Sequence, residues 1–506
     1  MLVKITRTRS LQTRASATVA TPCEPLDELQ KRLAEAVQRF HSTPVTPQRF
    51  LDLEKALKGA ADEVCRQVLE REANRLESDD KDAVPGKVRY HRETYRINKK
   101  TPASIGTRFG TITLWSFYYM NEADGEPGLH PLWVRLGIGA GSATPALLER
   151  VARMSVDHTQ TEVRAWLWRE HGLVWSNDRL RAALAGFRQA LLPFVADLQK
   201  ARLLTWLTQA QQSRGRYRPV LAAGRDGIMI PMRPGGYEEA STATVSVYDR
   251  RRRRLGTIYL GQMPEKKQAT LSRTLTALLT ATLTAWQGPV PRLAYITDKG
   301  SAPDDYYRRV LKKMKHPRAG QTLTWEWVLD FYHVCSYLGK MADALFGPET
   351  SAGAQWFAKM RHWLRDRHQG AAQVLRSATQ RLDRRKMTKA QKAEFWKAYR
   401  YVRCHRRLMD YQGYRRRGLP IGSGVTEAAC KTVFTQRFKR SGMRWHHESG
   451  QVILDLRVTH LSGIWDQAFA ADLAARELPE TGVPAGRPAE RGSPHVAMRV
   501  SPRLAA

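Results

Sequence analysis

The chain has 506 residues, 42% of them hydrophobic, which is enough for several domains with substantial cores. It contains 83 lysines and arginines against 48 aspartates and glutamates, so its net charge is +35. This excess is spread along the sequence and favours a polyanionic partner, above all nucleic acid. A membrane partner is not expected, because no uninterrupted run of about 18 apolar residues occurs.

The cysteines argue against disulfides and against a cysteine-based zinc site. Their number is odd, and no two form a C-x-x-C pair: Cys23, Cys65, Cys335, Cys404 and Cys430. We therefore expect a protein of a reducing compartment. Residues 1–25 are predicted to be a disordered basic arm, although a transit peptide has a similar composition. Residues 466–506, rich in alanine, proline, glycine and arginine, are predicted to be a disordered tail.

Residues 26–140 are predicted to form an α+β region. Helical periodicity covers residues 26–42 and 46–78, and Thr46 followed by proline is a typical helix start. Arg108–Tyr119, RFGTITLWSFYY, is rich in β-branched and aromatic residues, which favours a strand.

Three successive helices are predicted within residues 141–200. The second ends at Gly172, a short apolar turn follows, and Ser176 can cap the third. With Arg179, Arg181 and Arg188 facing outward on the third helix, the pattern is typical of a helix-turn-helix DNA-binding domain. A three-helix unit that does not contact DNA is the alternative.

Residues 215–340 change to an α/β pattern. Three strands joined by short links precede a helix, a strand, a helix and a strand; the predicted strands are Val220–Met232, Thr242–Tyr248, Leu255–Gly261, Arg292–Asp298 and Thr322–Asp330. This is the strand order of a ribonuclease-H-like fold. Residues 341–418 have the pattern of an all-helical insertion. Residues 419–465 are predicted to be the second part of the core and to carry one further important helix.

Three carboxylates stand out in this predicted core: Asp226 within the first strand, Asp298 at the end of the fourth, and Glu427 in the helix after the insertion. Taken singly, each has a structural alternative, as a turn residue, a helix cap and a helix-start acid respectively. In a ribonuclease-H-like sheet, however, the first and fourth strands are neighbours, and the final helix packs across the same edge. We therefore expect the three carboxylates to converge.

Converging carboxylates repel one another unless a cation lies between them. Their hard oxygen ligands suit Mg²⁺ or Mn²⁺. Two such ions about 3.5–4 Å apart can hold the attacking and leaving oxygens of an in-line phosphoryl transfer. A phosphodiester substrate agrees with the net charge of +35.

Five stretches now carry a resemblance: RDGIMIP, YITDKG, DFYHV and GSGVTEAACK, followed by RFKRSGMRW. Together they resemble the DDE transposases of bacterial insertion sequences, in particular the Mutator-related (Kra-type) group, over roughly residues 215–460. The resemblance implies that Asp226, Asp298 and Glu427 are the catalytic triad and the ligands of two Mg²⁺ or Mn²⁺ ions. Asp330 and His333 match the D-x-x-H motif of the group; a satisfied histidine at a helix start is the alternative for His333.

The chain departs from the family in one respect. Related transposases often carry a cysteine zinc ribbon after a strand like Arg108–Tyr119, whereas Met120–Leu132 contains no cysteine. We therefore predict no zinc.

The function implied by the resemblance is that of a DNA transposase. It would bind the terminal inverted repeats of its element, cleave DNA strands with a divalent metal and transfer them to target DNA. It would act as a homodimer or larger assembly on double-stranded DNA, in the bacterial cytoplasm at the nucleoid. The alternatives are a DNA-binding regulator with a catalytically retired core and a nuclease of the same fold.

Basic residues after the glutamate helix are expected to contact DNA. A solvated charged face is the alternative. Basic side chains interleaved with one aromatic side chain suit phosphate contacts combined with base stacking. The candidates after the glutamate helix are Arg437, Lys439, Arg440, Arg444 and Trp445, and those on the predicted helix-turn-helix are Arg179 and Arg181.

Overall fold

The computed structural model describes residues 24–42, 44–123, 125–382 and 387–481, and it has a mixed α/β architecture with two sheets. The strands are β1 (Lys87–Tyr90), β2 (Glu93–Thr107), β3 (Gly110–Asn121), β4 (Val220–Pro231), β5 (Tyr237–Tyr248), β6 (Arg254–Gln262), β7 (Arg292–Thr297), β8 (Trp325–Leu329) and β9 (Glu480–Thr481). The helices are α1 (Glu24–His41), α2 (Pro47–Asn74), α3 (Pro131–Leu136), α4 (Pro145–Ser155), α5 (Gln160–His171), α6 (Asn177–Gln212), α7 (Ala269–Ala285), α8 (Ser301–Arg309), α9 (Phe331–Phe346), α10 (Ser351–Asp366), α11 (Gly370–Leu382), α12 (Lys389–His405), α13 (Tyr411–Arg416), α14 (Gly424–Ala429), α15 (Gln436–Phe438), α16 (His447–Leu461) and α17 (Trp465–Ala475). A π-helical turn, Cys430–Thr435, joins α14 to α15. None of the helices in these ranges has both the length and the apolar character needed to cross a bilayer.

The larger sheet has the strand order β6-β5-β4-β7-β8. β6, β5 and β4 are antiparallel neighbours, whereas β4, β7 and β8 run parallel. All five strands predicted between residues 215 and 340 are present. The predicted adjacency of the first and fourth strands is confirmed, since β4 pairs with β7 from Val220 to Gly224.

Successive residues of this sheet face two different cores. Leu221 and Tyr295 pack with residues of α6 and α7 on one side. Ala222 and Ile296 pack on the other side with residues of α9, α10, α11, α12 and α13. The described part of residues 341–418, which leaves out residues 383–386, is mainly helical as predicted, and its helices cover β4, β7 and β8 on this face of the sheet.

A third core joins α4, α5 and the first half of α6 to α14, α16 and α17. The three predicted helices are present: Gly172, with φ of 63°, ends α5, and the Ser176 side chain caps α6. The third helix is longer than predicted and runs to Gln212, because Leu203 and Leu207 continue its apolar face onto the central sheet. The three helices therefore share their core with the helix that follows the insertion.

The smaller sheet has the order β3-β2-β1-β9. The strand predicted at Arg108–Tyr119 is β3, but β1 and β2 are not predicted from the sequence, because their exposed polar and basic residues hide the alternation. Asn74 of α2 bonds the free edge of β3, with Nδ2 donating to Thr113 O at 2.9 Å and Oδ1 accepting from Trp115 N at 2.8 Å. Such cover prevents pairing with another strand.

The predicted tail at 466–506 is wrong in its first part. Trp465–Ala475 is a helix, and Glu480–Thr481 pairs with β1. The apolar side of α17 explains the error: Trp465 is buried, and its ring lies 5.5 Å from that of Phe187 of α6. Residues 482–506 lie outside the described residues, as do residues 1–23 of the predicted basic arm, whose last two residues belong to α1.

We expect Trp465→Ala to lower the free energy of unfolding by about 3–5 kcal/mol, the usual cost of truncating a buried tryptophan. The variant also loses the Nε1 bond to Glu149 Oε1, 2.8 Å long. Urea unfolding followed by circular dichroism measures the change. Leu473→Ala on the same helix, where the side chain is 41% exposed, is the control and should change stability by less than about 0.5 kcal/mol. Equal, small effects of the two variants would contradict the packing described for α17.

Candidate active site

Three aspartates lie at the same level of the parallel part of the sheet: Asp298 and Asp330 directly follow the ends of β7 and β8, and Asp226 lies beside them within β4, which continues to Pro231. The last β4–β7 pair ends two residues before Asp226 and Asp298. The last β7–β8 pair ends one residue before Asp298 and Asp330. Because neighbouring strands lie about 4.8 Å apart, the three residues form a row across this end of the sheet. We call Asp226, Asp298 and Asp330 the aspartate row.

Asp226 is held by two donors. Its Oδ1 accepts a hydrogen bond from Gly227 N at 2.8 Å, and its Oδ2 faces Cys430 Sγ at 3.1 Å. Cys430 is buried at the start of the π-helical turn. It lies three residues after Glu427 and thus on the same side of the helix. Sequence reasoning missed this thiol, although its spacing from Glu427 was a usable signal.

Helix α14, which carries Glu427, packs directly on β4. A Cβ atom at Gly224 would lie 2.0 Å from Thr426 Oγ1, so this close approach requires glycine. Thr426 Oγ1 is also hydrogen-bonded to Thr244 Oγ1 of β5 at 2.8 Å. Glu427 follows as an exposed residue whose negative charge raises the pKa of Asp298. The structure therefore brings Glu427 to the same end of the sheet as Asp226 and Asp298.

Ser423, just before α14, connects the helix to the aspartate row. Its backbone N–H donates to Asp330 Oδ2, and its Oγ donates to Asp298 Oδ1 at 3.3 Å. Its carbonyl oxygen accepts from Glu427 N at 2.8 Å. Sequence reasoning missed Ser423, whose position in GSGVTE as the residue before a helix start was the available signal.

The two residues of the D-x-x-H motif have different positions. Asp330 is buried and caps α9, with Oδ1 accepting from His333 N at 2.6 Å, so both of its oxygens bind backbone N–H groups. The imidazole of His333 points to Asp298 instead, with Nδ1 3.5 Å from Oδ2. Asp330 therefore fixes the loop and the helix around the site, and His333 lies beside the side chain of Asp298.

Tyrosines of the helical insertion support the same strand ends. Tyr401 Oη donates to the backbone oxygen of Asp298 at 3.0 Å, and its ring stacks on Tyr337 at 3.8 Å. Tyr411 Oη donates to Leu329 O at 2.9 Å, and Tyr414 Oη donates to Trp327 O at 3.1 Å. These bonds satisfy carbonyls of β8, which is the edge strand of the sheet. The insertion thereby holds the aspartate row in place.

Burial and mutual repulsion raise the pKa values of two aspartates. Burial, followed by the charges of Asp226 and Asp330, raises the pKa of Asp298 to about 7, although the Ser423 bond opposes the shift. Burial raises the pKa of Asp226 as well, and the bonds from Cys430 and Gly227 oppose that shift. Burial lowers the pKa of His333, against the attraction of Asp330 and Asp226.

The donor set suits a hard divalent cation. Asp226, Asp298 and Glu427 supply carboxylate oxygens, and a cation would offset the burial and the repulsion that together raise the aspartate pKa values. Within the part of the chain that the structure describes, no three acidic, histidine or cysteine side chains are placed to hold an ion as they stand. Binding therefore requires side chains to turn, and Glu427, being exposed, is free to do so.

Two residues predicted to contact DNA make contacts within the protein. Arg437 is 2% exposed, its Nε donates to Ser155 O at 3.2 Å, and burial lowers its pKa to about 10. Trp445 is partly buried, with its ring 4.5 Å from that of Phe438 and its Nε1 bonded to Phe438 O. The apolar residues at Val433, Phe434 and Phe438 turn this side of the helix inward.

Of four other residues predicted to contact DNA, two are exposed to solvent and two form ion pairs within the protein. Lys439 and Arg444 are exposed. Arg440 pairs with Glu162 at 2.9 Å, and Arg181 pairs with Asp178 at 3.0 Å on the surface.

Two arginines predicted to face outward on α6 are engaged within the protein. Arg179 Nε donates to Gly141 O at 2.8 Å, and its guanidinium lies over the ring of Trp175. Arg188 pairs with Asp455 of α16 at 2.6 Å. The prediction that these arginines face outward is wrong, because α6 packs against the loop before α4 on one side and against α16 on another.

No protein-family model matches the chain, and no curated protein shows significant similarity to it.

The raised pKa of Asp298 predicts a pH-dependent stability. The folded protein keeps a proton on this group up to about pH 7, whereas an unfolded aspartate releases it near pH 4. The contribution of Asp298 is therefore largest below about pH 4 and is lost as the pH rises through about 7. Without divalent cations, Asp298→Asn should become more stable relative to the wild type over that range.

Urea unfolding of both proteins at several pH values measures this difference. Asp178→Asn, which removes a carboxylate that is 82% exposed, is the control and should show a constant difference from the wild type. A constant difference for Asp298→Asn as well would show that Asp298 is not an inward, repelled carboxyl group.

Proposed function

We propose that this protein is a DDE-type DNA transposase that cleaves and joins DNA strands at the aspartate row. The observation that carries the proposal is the convergence of Asp226 and Asp298 with the helix of Glu427, in a chain of net charge +35. The basic charge of the protein suits the binding of a polyanion, and the acidic residues suit the metal ions that would assist its cleavage.

The order of the strands supports a ribonuclease-H-like assignment for the core. Three antiparallel strands, β6, β5 and β4, are followed in space by two strands parallel to β4. The pairing of β4 with β7 and the packing of α14 on β4 support the same assignment. The long helical insertion lies between β8 and α14, as the resemblance implied.

Asp226, Asp298 and Glu427 would hold Mg²⁺ or Mn²⁺. When bound, such ions activate the attacking oxygen and stabilise the leaving oxygen of a phosphodiester. Two contacts prepare the ligands for this task. Cys430 Sγ limits the rotation of Asp226, and Ser423 Oγ together with His333 Nδ1 fixes Asp298 from two sides.

The protonation state of the site near neutral pH depends on Asp298. Near pH 7 its carboxyl group is partly protonated, since its pKa is about 7. The neutral imidazole that the lowered pKa of His333 favours lies 3.5 Å away and can orient the carboxyl group without adding a positive charge. Deprotonation of Asp298 then gives the ligand form of the site.

The partners we propose are double-stranded terminal repeats and target DNA, within a bacterial cell and at its nucleoid. The exposed Lys439 and Arg444 follow the glutamate helix in sequence and offer phosphate contacts. Because Arg437 and Trp445 make contacts within the protein, the proposed DNA contacts of this segment rest on Lys439 and Arg444.

We expect Asp298→Asn and Glu427→Gln each to lower strand cleavage and joining by at least about 100-fold, because each removes one negative ligand from the site. The substrate is DNA that carries the sequences flanking the coding region, with Mg²⁺ or Mn²⁺ present. Glu448→Gln, an exposed glutamate in the first turn of α16, is the matched control and should retain activity.

The products of this assay separate the alternatives. Wild-type protein that cuts without ever joining is a nuclease of the same fold. Protein that binds DNA but shows no metal-dependent nicking is a regulator with a retired core. Full activity in Asp298→Asn or Glu427→Gln would contradict the assignment of the site.

We also expect the double variant Lys439→Ala/Arg444→Ala to bind DNA of any sequence more weakly. The slope of log K against log salt should fall by about 2, since two phosphate contacts are lost. Fluorescence anisotropy at several salt concentrations measures it. Lys31→Ala/Lys55→Ala, two exposed lysines of α1 and α2, is the matched control for charge. An unchanged slope in Lys439→Ala/Arg444→Ala would place the DNA elsewhere.

A further inference from the structure

Two arginine-rich segments lie side by side at one end of the larger sheet. One is residues 213–218, between α6 and β4, and the other is residues 249–254, which form the turn between β5 and β6 and the first residue of β6. Arg250 N donates to Ser213 Oγ at 3.1 Å. Gly215 permits the close approach, since a Cβ atom there would clash with Arg250 O. The two segments therefore form one surface, which we call the arginine surface.

Eight arginines and one acidic residue give this surface its charge. They are Arg214, Arg216, Arg218, Arg250, Arg251, Arg252, Arg253, Arg254 and Asp249. Asp249 is buried, and its Oδ1 accepts from Arg251 N and from Arg253 N, both at 2.8 Å. This carboxylate therefore shapes the turn instead of pairing with a guanidinium. Within the described ranges, none of the eight guanidinium groups pairs with a carboxylate.

The hydrogen bonds that these arginines make do not neutralise them. Arg216 Nη2 donates to Tyr217 Oη at 2.7 Å, and Arg250 Nε donates to Gly215 O at 3.1 Å, so both acceptors are neutral oxygens. The bond from Arg216, followed by the charge of Arg252, lowers the pKa of Tyr217. A surface with this much unpaired positive charge attracts a polyanion.

The remaining side chains of the surface favour duplex DNA over a protein or a single strand. Apart from Tyr217, the two segments contain no large apolar residue, so they lack the apolar centre of a protein interface. The guanidinium groups of Arg216 and Arg252 lie over the ring of Tyr217, at 4.9 and 5.1 Å from its centroid. The ring is thus occupied and does not offer the stacking platform on which single strands depend.

The arginine surface lies at the opposite end of the sheet from the aspartate row. Val220, the first residue of β4, pairs with Tyr248, which directly precedes the turn. Asp226 lies six residues further along β4, which corresponds to about 20 Å of strand. Helices pack on both faces of the sheet between these two ends. DNA at the aspartate row therefore does not reach the arginine surface along the sheet.

We propose that the arginine surface is a second DNA-binding surface, which holds the phosphate backbone of duplex DNA of any sequence. Guanidinium groups bind phosphate oxygens in bidentate fashion and do not need base contacts for this. Binding at this surface requires neither a divalent cation nor the carboxylates of the aspartate row. The inference shares with the proposed function only the choice of DNA as a partner.

Fluorescence anisotropy with duplex DNA of unrelated sequence tests the proposal, without divalent cations so that no strand is cut. Arg214→Gln/Arg251→Gln/Arg253→Gln, at three exposed positions, should reduce the magnitude of the slope of log K against log salt by about 3, because three phosphate contacts are lost. Lys31→Gln/Arg39→Gln/Lys55→Gln removes the same charge from exposed positions of α1 and α2 and should leave the slope unchanged.

A lysine variant separates charge from local structure. Arg214→Lys/Arg251→Lys/Arg253→Lys keeps the three positive charges and should keep the slope of the wild type, since lysine also binds phosphate. Circular dichroism should show the same folded protein for every variant.

A combined variant tests whether the two surfaces are separate. The three glutamine substitutions should reduce the slope by about 3 in the Lys439→Ala/Arg444→Ala background as well, because independent sites have additive effects. A much smaller reduction in that background would show one shared surface and would overturn the proposal.

Three further results would overturn it. They are an unchanged slope in the glutamine variant, an equal loss in the α1–α2 control, and weaker binding of duplex RNA with unchanged binding of duplex DNA. No strand cleavage is measured in these experiments, so failure of this inference and failure of the proposed function are separate outcomes.

Discussion

Repulsion among carboxylates is the constraint on which the site depends. Strands β7 and β8 end beside the middle of β4, and an aspartate lies on or directly after each of the three at the same level. Burial, followed by the charges of Asp226 and Asp330, raises the pKa of Asp298 to about 7. The arrangement persists only because the surrounding chain fixes each carboxyl group with hydrogen bonds.

Three later segments of the chain hold this end of the sheet. The insertion contributes Tyr401, whose hydroxyl holds the backbone at Asp298. The loop before α14 contributes Ser423, and the π-helical turn contributes Cys430. Arg457 of α16 holds the turn from behind, with Nε donating to Thr432 O at 2.9 Å. A π-helical turn leaves irregular carbonyl groups, and here a buried guanidinium satisfies one of them. The insertion and the glutamate helix therefore stabilise the end of the sheet that carries the aspartates.

The sequence predicted the residues of the site better than their supports. Asp226 was identified within the first predicted strand and Asp298 at the end of the fourth, and the strand order placed these two strands side by side. The contacts of Tyr401 and Cys430 join positions 103 and 204 residues apart, and no local pattern encodes them.

The errors have a common cause, which is that burial of a polar or mixed segment depends on distant residues. Arg437 looked like a surface cation in a basic cluster, but α4 and α16 enclose it. The alanine-rich start of the supposed tail looked disordered, but Trp465 anchors it on α6. Strand β2 was missed because one of its faces is exposed and basic.

Anomalous diffraction from crystals of the full chain soaked in Mn²⁺ is the most direct test of the central claim, that the carboxylates of Asp226, Asp298 and Glu427 form a divalent-cation site. We expect anomalous density at this end of the sheet, about 2.0–2.2 Å from oxygens of Asp226 and Asp298, with Glu427 turned toward it. Crystals with well-ordered carboxylates and no Mn²⁺ among them at saturating concentration would contradict the account.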